Sequence, residues 1–417
     1  EKKYNFIPLR KLLWADMYEL NASDDILEKR LVLHFNFWEK FIESTKIAII
    51  LTESPGILST NVLWAVCKKY NVKFLEFTPV GISGRKNYRS TWGDGIDDFY
   101  DSIEKIKVDK SSQNYLNATK YYEKMFNNPE SPDYAGIDLN TGEETLNRSY
   151  IKLPRFPRIK LNKNPFKRFY YNHKNNNYYL NTHGIFSRYT DWLNAKIKFL
   201  YLTQTNFFSK NRTDERYFLF PLHILNEWCD YTWMGLKYPN MYELILEVSA
   251  CLPLNTKLYV KEHPSLFPQK KISFFRRVKN IPNVILIDRN EDTYKLILNS
   301  EAIVTLGSTV AWESFLIGKP AIILSNSWWG DQLPGIYKIK GEHELVHMLQ
   351  NVSDLKLPSY EQKIKVIYTL YEISFKANHY PVKKMLLSEN IKRHADALSK
   401  YLFRNYIKQD TKKGRNI

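Results

Sequence analysis

The chain has 417 residues and a mass of 49.6 kDa, more than one compact core holds, so two domains of about 150–200 residues each are expected. A composition of 44% hydrophobic, 15% aromatic and 25% charged residues excludes wholesale disorder, and no apolar run approaches the roughly 18 residues of a membrane span. With 61 basic against 44 acidic residues the net charge is +17, which points to an anionic partner: nucleic acid, an acidic membrane surface or a phosphorylated substrate.

Three cysteines, Cys67, Cys229 and Cys251, stand at unrelated spacings. They fit a reducing compartment and exclude a disulfide framework or a cysteine-ligated zinc finger. Glu1-Lys2-Lys3-Tyr4 has no apolar core of a secretion signal behind it, so a cytoplasmic location is expected.

In chain order, residues 47–52 (IAIILT) form a continuous β-branched apolar run, as expected of a strand buried on both faces. Glu53-Ser54-Pro55-Gly56 breaks it. Residues 58–70 then carry apolar side chains at helical spacing, and 73–77 return to strand character. Strand, helix and strand in about 30 residues make a βαβ unit and hence a parallel sheet. Residues 81–98, with Gly81, Gly84, Gly93 and Gly95 beside Asp94, Asp97 and Asp98, read as a loop, and 113–126 as a helix.

From Arg148 to Lys174 there are nine Lys or Arg residues and no Asp or Glu, with aromatic rings interleaved and prolines at 154, 157 and 165. Such a segment suits a polyanion or anionic headgroups, or it is a solvated linker. No RNA-binding signature accompanies it, so no specific nucleic acid is expected. Residues 178–208 read as a long helical connection, and the tail from Arg404 to Arg415 is again basic.

The second half alternates more clearly. Strands are expected at 217–221, 257–261, 284–287, 302–306 and 320–324, and helices at 241–251, 273–278, 293–299 and 309–317. Further helices follow at 342–352, 360–374 and 391–403. This is a doubly wound sheet, in which ligands collect at the carboxyl ends of the strands. Those ends carry His223 and Glu227, then Lys261-Glu262-His263-Pro264, then Gly307-Ser308-Thr309 running into a helix with Glu313 one turn in. A helix N-terminus offers unpaired N–H groups and partial positive charge to a phosphate. Lys261, His263, Ser308 and Thr309 would add donors, and Glu313 an acceptor for a ribose diol. The bland alternative is that Ser308 caps the helix and Glu313 belongs to its capping box.

These segments, together with Gly318-Lys319-Pro320-Ala321, resemble bacterial capsule and surface-polysaccharide glycosyltransferases, including Kdo transferases and, more distantly, polysialyltransferases. The resemblance covers roughly residues 216–340. It implies α/β architecture with two Rossmann-like domains (GT-B), a deep inter-domain cleft and C-terminal helices. The expected division is an acceptor-side domain over 1–205, a nucleotide-sugar donor domain over 206–360, and C-terminal helices with a basic tail over 361–417. It further implies that His263, Ser308 and Thr309 hold the donor phosphate and Glu313 its ribose. The segment 220–227 is similar to the first strand-end motif of these enzymes, where an acidic residue meets the anomeric carbon; Glu227 takes that place here, although the family pattern has Asp. As nucleophile it would give retention. As a mere stabiliser it would require a base from the first domain, Glu53 or Asp94. For Glu53 the plainer reading is charge complementation of the following helix; His223 reads either as a further catalytic residue or as a satisfied strand-end histidine.

A competing motif is His343-Glu344-Leu345-Val346-His347, which matches the HExxH pattern of zinc hydrolases. A third ligand would have to be Asp354, Glu361 or something remote, and the apolar stripe of Leu345, Met348, Leu349 and Val352 is that of an ordinary amphipathic helix. The favoured reading is a transferase that moves a sugar, such as CMP-linked Kdo, from a nucleotide-sugar to a glycan or lipid-linked acceptor. It needs no obligatory metal and allows peripheral contact with the inner membrane. The alternatives are a nucleotide-sugar epimerase on the same fold, a polyanion- or membrane-binding protein, and a zinc hydrolase.

Overall fold

The computed structural model describes residues 2–14, 23–52, 57–82, 84–89, 99–127, 193–194, 196–202, 207–210, 215–223, 241–262, 270–325, 327, 333–377 and 388–403. The N-terminal lobe opens with α1 (Leu9–Trp14) and α2 (Asp24–Thr45), followed by β1 (Ile49–Thr52), α3 (Leu58–Lys69), β2 (Lys73–Pro79) and β3 (Arg85–Arg89). β1 and β2 are parallel, with Ile49 opposite Lys73, so the βαβ unit forms as its pattern requires. α2 and α3 bury Leu31, Phe35, Val62 and Val66 against Leu12 and Phe74.

Two details differ from the sequence reading. β1 lies at the end of the β1-β2-β3 order and leaves Leu51 42% exposed, so its apolar run is not buried on both faces. The glycines at 81 and 84 adopt φ of +73° and +65° and make the corners of a turn that folds residues 85–89 back as an antiparallel strand, Glu76 opposite Arg89. They punctuate a hairpin instead of opening a long loop.

The chain continues through α4 (Phe99–Lys105), α5 (Gln113–Asn127) and a helix over residues 196–202, α6. The C-terminal lobe then alternates β4 (Tyr217–Pro221), α7 (Met241–Ala250), β5 (Lys257–Lys261), α8 (Ile272–Lys279), β6 (Val284–Ile287), α9 (Thr293–Asn299), β7 (Ile303–Thr305), α10 (Thr309–Ile317), β8 (Ala321–Ile323) and β9 (Ile336–Lys338). All six strands are parallel, in the order β6-β5-β4-β7-β8-β9. Renumbered within the lobe this is 3-2-1-4-5-6, the doubly wound dinucleotide-fold order, whose switch point lies between its first and fourth strands. Here those are β4 and β7. Phe218, Phe220 and Val260 line one face with α7 and α8; Tyr217, Leu219 and Tyr259 line the other with α9 and α10. On that second face the rings of Tyr217 and Tyr259 stack at 3.9 Å.

α11 (Glu342–Gln350) follows, and then α12 (Tyr360–Ile373), which starts at a capping box of Ser359 and Gln362. β10 (Phe375–Lys376) adds antiparallel to β3, and α13 (Ser388–Leu402) lies against the same sheet, where the Tyr88 hydroxyl donates to the His394 carbonyl at 3.1 Å. Arg85 donates to the Tyr371 carbonyl at 2.8 Å and to Ser374 Oγ at 2.7 Å. The last elements thus close on the N-terminal lobe. Between the lobes, Val80, Ile82, Phe99 and Ala118 share a core with Trp312, Phe315 and Ile367.

Candidate functional site

The ends of β4 and β7 meet at His223. Its ring is 2% exposed, and Nε2 lies 3.2 Å from the Thr305 hydroxyl and 3.4 Å from the Leu306 N–H. A backbone N–H can only donate, so Nε2 is the acceptor and a neutral ring carries its proton on Nδ1. The Thr305 hydroxyl in turn accepts from the Ser308 N–H at 3.4 Å. A relay therefore runs from the start of α10 through Thr305 to the strand-end histidine. His223 thus fixes the turn that precedes the helix.

The ends of β4, β5 and β6 lie level, Pro221 opposite Lys261 and Lys261 opposite Ile287. Lys261 is 4% exposed, and its Nζ donates to the Arg289 carbonyl at 3.0 Å. Burial pulls its ammonium down to about 8, against the attraction of Asp288, Glu262, Glu313 and Asp292. Among the described residues no carboxylate forms an ion pair with it. Burial pushes the Glu313 carboxyl up to about 7, opposed by Lys261. The two residues, one at a strand end and one in α10, therefore share one electrostatic environment, as a common ligand site requires.

Lys270 completes the cluster. Its Nζ donates to the His223 carbonyl at 3.1 Å and to Glu262 Oε1 at 3.1 Å, with both side chains almost wholly enclosed. The buried guanidinium of Arg289 lies over the Phe199 ring. Three buried cations thus stand at the carboxyl ends of β4, β5 and β6, with Glu262 in contact with one of them. Sequence reasoning passes over Lys270 and Arg289. Lys270 precedes the exposed Lys271, and nothing in the run Gln269-Lys270-Lys271 marks which amine turns inward.

α10 begins as a helix with an open first turn. Ser308 is its N-cap in extended backbone and accepts from the Val310 N–H at 3.3 Å. Its hydroxyl keeps a proton to donate outward, and Ser308 and Thr309 are both half-buried at the lip of the site. Capping and ligand binding are thus compatible at Ser308. Trp312, beside Glu313, donates from Nε1 to the Tyr121 hydroxyl at 3.3 Å, and that hydroxyl donates to the Gly81 carbonyl at 3.0 Å. The helix of the site is thereby tied to the β2–β3 turn of the other lobe.

Glu53, Asp94, Glu227 and His263 lie outside the described residues, as do the basic stretch 148–174 and the tail 404–415. The HExxH residues lie on α11, where His343 and His347 are exposed and Glu344 accepts from the Lys340 N–H at 2.7 Å. That is the bond of a helix-start carboxylate. Leu345 and Leu349 face the core. Among the described residues no group of three His, Cys, Asp or Glu side chains is placed to hold a metal ion.

No protein-family model matches the chain, and no curated protein matches its sequence. Solved structures similar over most of its length include the following three. KpsC of Thermosulfurimonas dismutans, a β-Kdo 2,7 transferase, covers 89% of this chain and 92% of its own at 11% identity, with a TM-score of 0.40. The β-Kdo 2,4 transferase of KpsC from the same organism covers 79% and 81% at 12% identity, with a TM-score of 0.38. UDP-GlcNAc 2-epimerase of Methanocaldococcus jannaschii covers 83% and 82% at 13% identity, with a TM-score of 0.29. At these values the architecture rests on the chain's own strand order.

Proposed function

We propose that the chain is a glycosyltransferase that grips a nucleotide-sugar by its phosphate at the ends of β4, β5 and β7. The observation that carries this reading is Lys261, a buried ammonium at the switch-point end of the sheet, without an ion-paired carboxylate among the described residues. A phosphate there would gain the charge of Lys261, the amides of the α10 N-terminus and the Ser308 and Thr309 hydroxyls. Glu313 would accept from the ribose, and His263 would join the phosphate donors.

Transfer then breaks the bond from the anomeric carbon to the phosphate oxygen, and the electron pair leaves with the nucleotide. An acceptor hydroxyl forms the new bond and gives its proton to a base. Protein cations and helix amides stabilise the charge that grows on the departing phosphate. Glu227 is assigned the carboxylate at the anomeric carbon, with Glu53 or Asp94 as the base of an inverting route. The finer reading is a CMP-linked acidic sugar such as Kdo, delivered to a glycan or lipid-linked acceptor of a surface polysaccharide.

The test is a thermal-shift panel of CMP, UDP and GDP and their sugars, with Lys261→Met alongside. One nucleotide class should raise the melting temperature of the wild type and not of the variant. Stabilisation by none of them sinks the reading. NMR of the stabilising donor, incubated without acceptor, separates transfer from epimerisation, because only an epimerase converts it.

A further inference from the structure

The outer edge of the C-terminal lobe carries a second surface, whose helix α6 also sets Phe199 against Arg289 at the strand ends. α6 and the residues just before it turn Leu193, Ile197 and Leu200 outward at 47%, 53% and 37% exposure. Their spacing of four and three places them on one helical face. Alongside runs α8, which presents Arg276, Arg277 and Lys279 to solvent. The two helices are locked together where Arg276 Nη2 donates to the Tyr201 hydroxyl at 2.7 Å. Residues 192–213 and 263–287 contain no Asp or Glu at all.

We infer that this face docks on an anionic lipid bilayer, with the aliphatic stripe at the acyl boundary and the α8 cations on the headgroups. Three features single out lipid. The exposed stripe is aliphatic, which hydrocarbon rewards and a nucleic acid does not. The rings that could stack on bases are already covered: Arg277 lies 3.8 Å from the Tyr242 centroid, Arg276 5.2 Å from Tyr201, and Lys279 4.8 Å from Phe207. A second copy would set like charge against like charge in a chain of net +17. Among the described residues no helix is long and apolar enough to cross a membrane, so contact here is interfacial. The inference goes beyond the donor site.

The test is sedimentation of the full chain with phosphatidylcholine vesicles, with and without phosphatidylglycerol. Binding should require the anionic lipid. Each cation at a surface contributes roughly fivefold to partitioning, so Arg276→Glu with Arg277→Glu should reduce it by about 30-fold or more. Ile197→Ser with Leu200→Ser should weaken it too, and each variant is assayed below its own melting transition, since Arg276 also donates to Tyr201. Leu33→Ser with Phe37→Ser, on the apolar stripe of α2 whose first turn carries Asp24 and Asp25, should leave it unchanged. Equal binding to neutral vesicles would overturn the inference, as would unaltered binding by the α6 and α8 variants, loss confined to the α2 variant, or a dimer that Ile197→Ser disperses. Nucleotide stabilisation, measured on the same variants, should persist, which separates failure at this surface from failure at the strand ends.

Discussion

The Thr305 hydroxyl lies 3.2 Å from Nε2 of His223, so the last residue of one strand is bonded to a side chain two positions beyond the end of its neighbour. These are the two strands between which the sheet order reverses. A doubly wound sheet must open a crevice at that place, and this contact sets the crevice floor. It also explains why a histidine that resembles a catalytic group is so well enclosed.

His223→Ala should leave the Thr305 hydroxyl and the Leu306 N–H without their acceptor and cost about 1–3 kcal/mol of stability. His223→Gln can place an amide oxygen near the position of Nε2 and should recover more than half of that loss. Chemical denaturation of the three proteins decides it; equal losses in both variants would remove the relay from the account.

The ion pair of Lys270 and Glu262 is enclosed on both sides. Removal of one partner from such a pair costs about 3–5 kcal/mol. Lys270→Met should therefore destabilise strongly, whereas Lys270→Met with Glu262→Gln should cost less than the sum of the single changes. A double-mutant cycle with coupling below about 0.5 kcal/mol would show that the two side chains act independently.

Ser308 separates capping from ligand contact. Ser308→Ala should lower stability by about 1 kcal/mol, and Ser308→Gly by only a few tenths. A hydroxyl that also touches a phosphate is lost in both, so the affinity for the stabilising nucleotide should fall equally in the two variants. An affinity that follows stability instead would confine Ser308 to the helix.

The titration of Lys261 and Glu313 has a definite sign. Glu313 is raised from 4.5 to about 7, so between those values the folded chain holds more protons than the unfolded one and stability falls as pH rises. Lys261 is lowered from 10.5 to about 8, so above pH 8 stability climbs again as its charge is lost. The melting temperature of Glu313→Gln should gain on the wild type as pH rises from 5 to about 7. A bound phosphate favours the charged lysine, so nucleotide binding at pH values above about 8 should take up a proton. Calorimetry in buffers of different ionisation enthalpy reads this directly, and Lys261→Met should abolish the uptake.

Much of the C-terminal lobe was legible because its strands are sealed on both sides. Tyr217–Pro221 is buried at every position, and an unbroken apolar run between turn residues admits few other readings. β9 escaped because it is an edge strand with one buried residue of three. β3 escaped because Arg85-Lys86-Asn87-Tyr88-Arg89 is polar; Tyr88 is buried by α13 and Phe375, nearly three hundred residues away. The same limit applies to the site. Ser308, Thr309 and Glu313 announce themselves as a strand-to-helix turn, whereas Lys270 becomes a site residue only when the fold brings it under His223.

β10 is only two residues long, yet it shields the rim of β3, and the Ala377 N–H reaches the Gly84 carbonyl at 3.0 Å. A protein clipped after Ser374 would bare that row of amides and carbonyls and lose the cover of α13 as well. Such a fragment should clump through its first sheet even though every strand of the second is intact, so a C-terminal lobe for separate study is better prepared by trimming from the front.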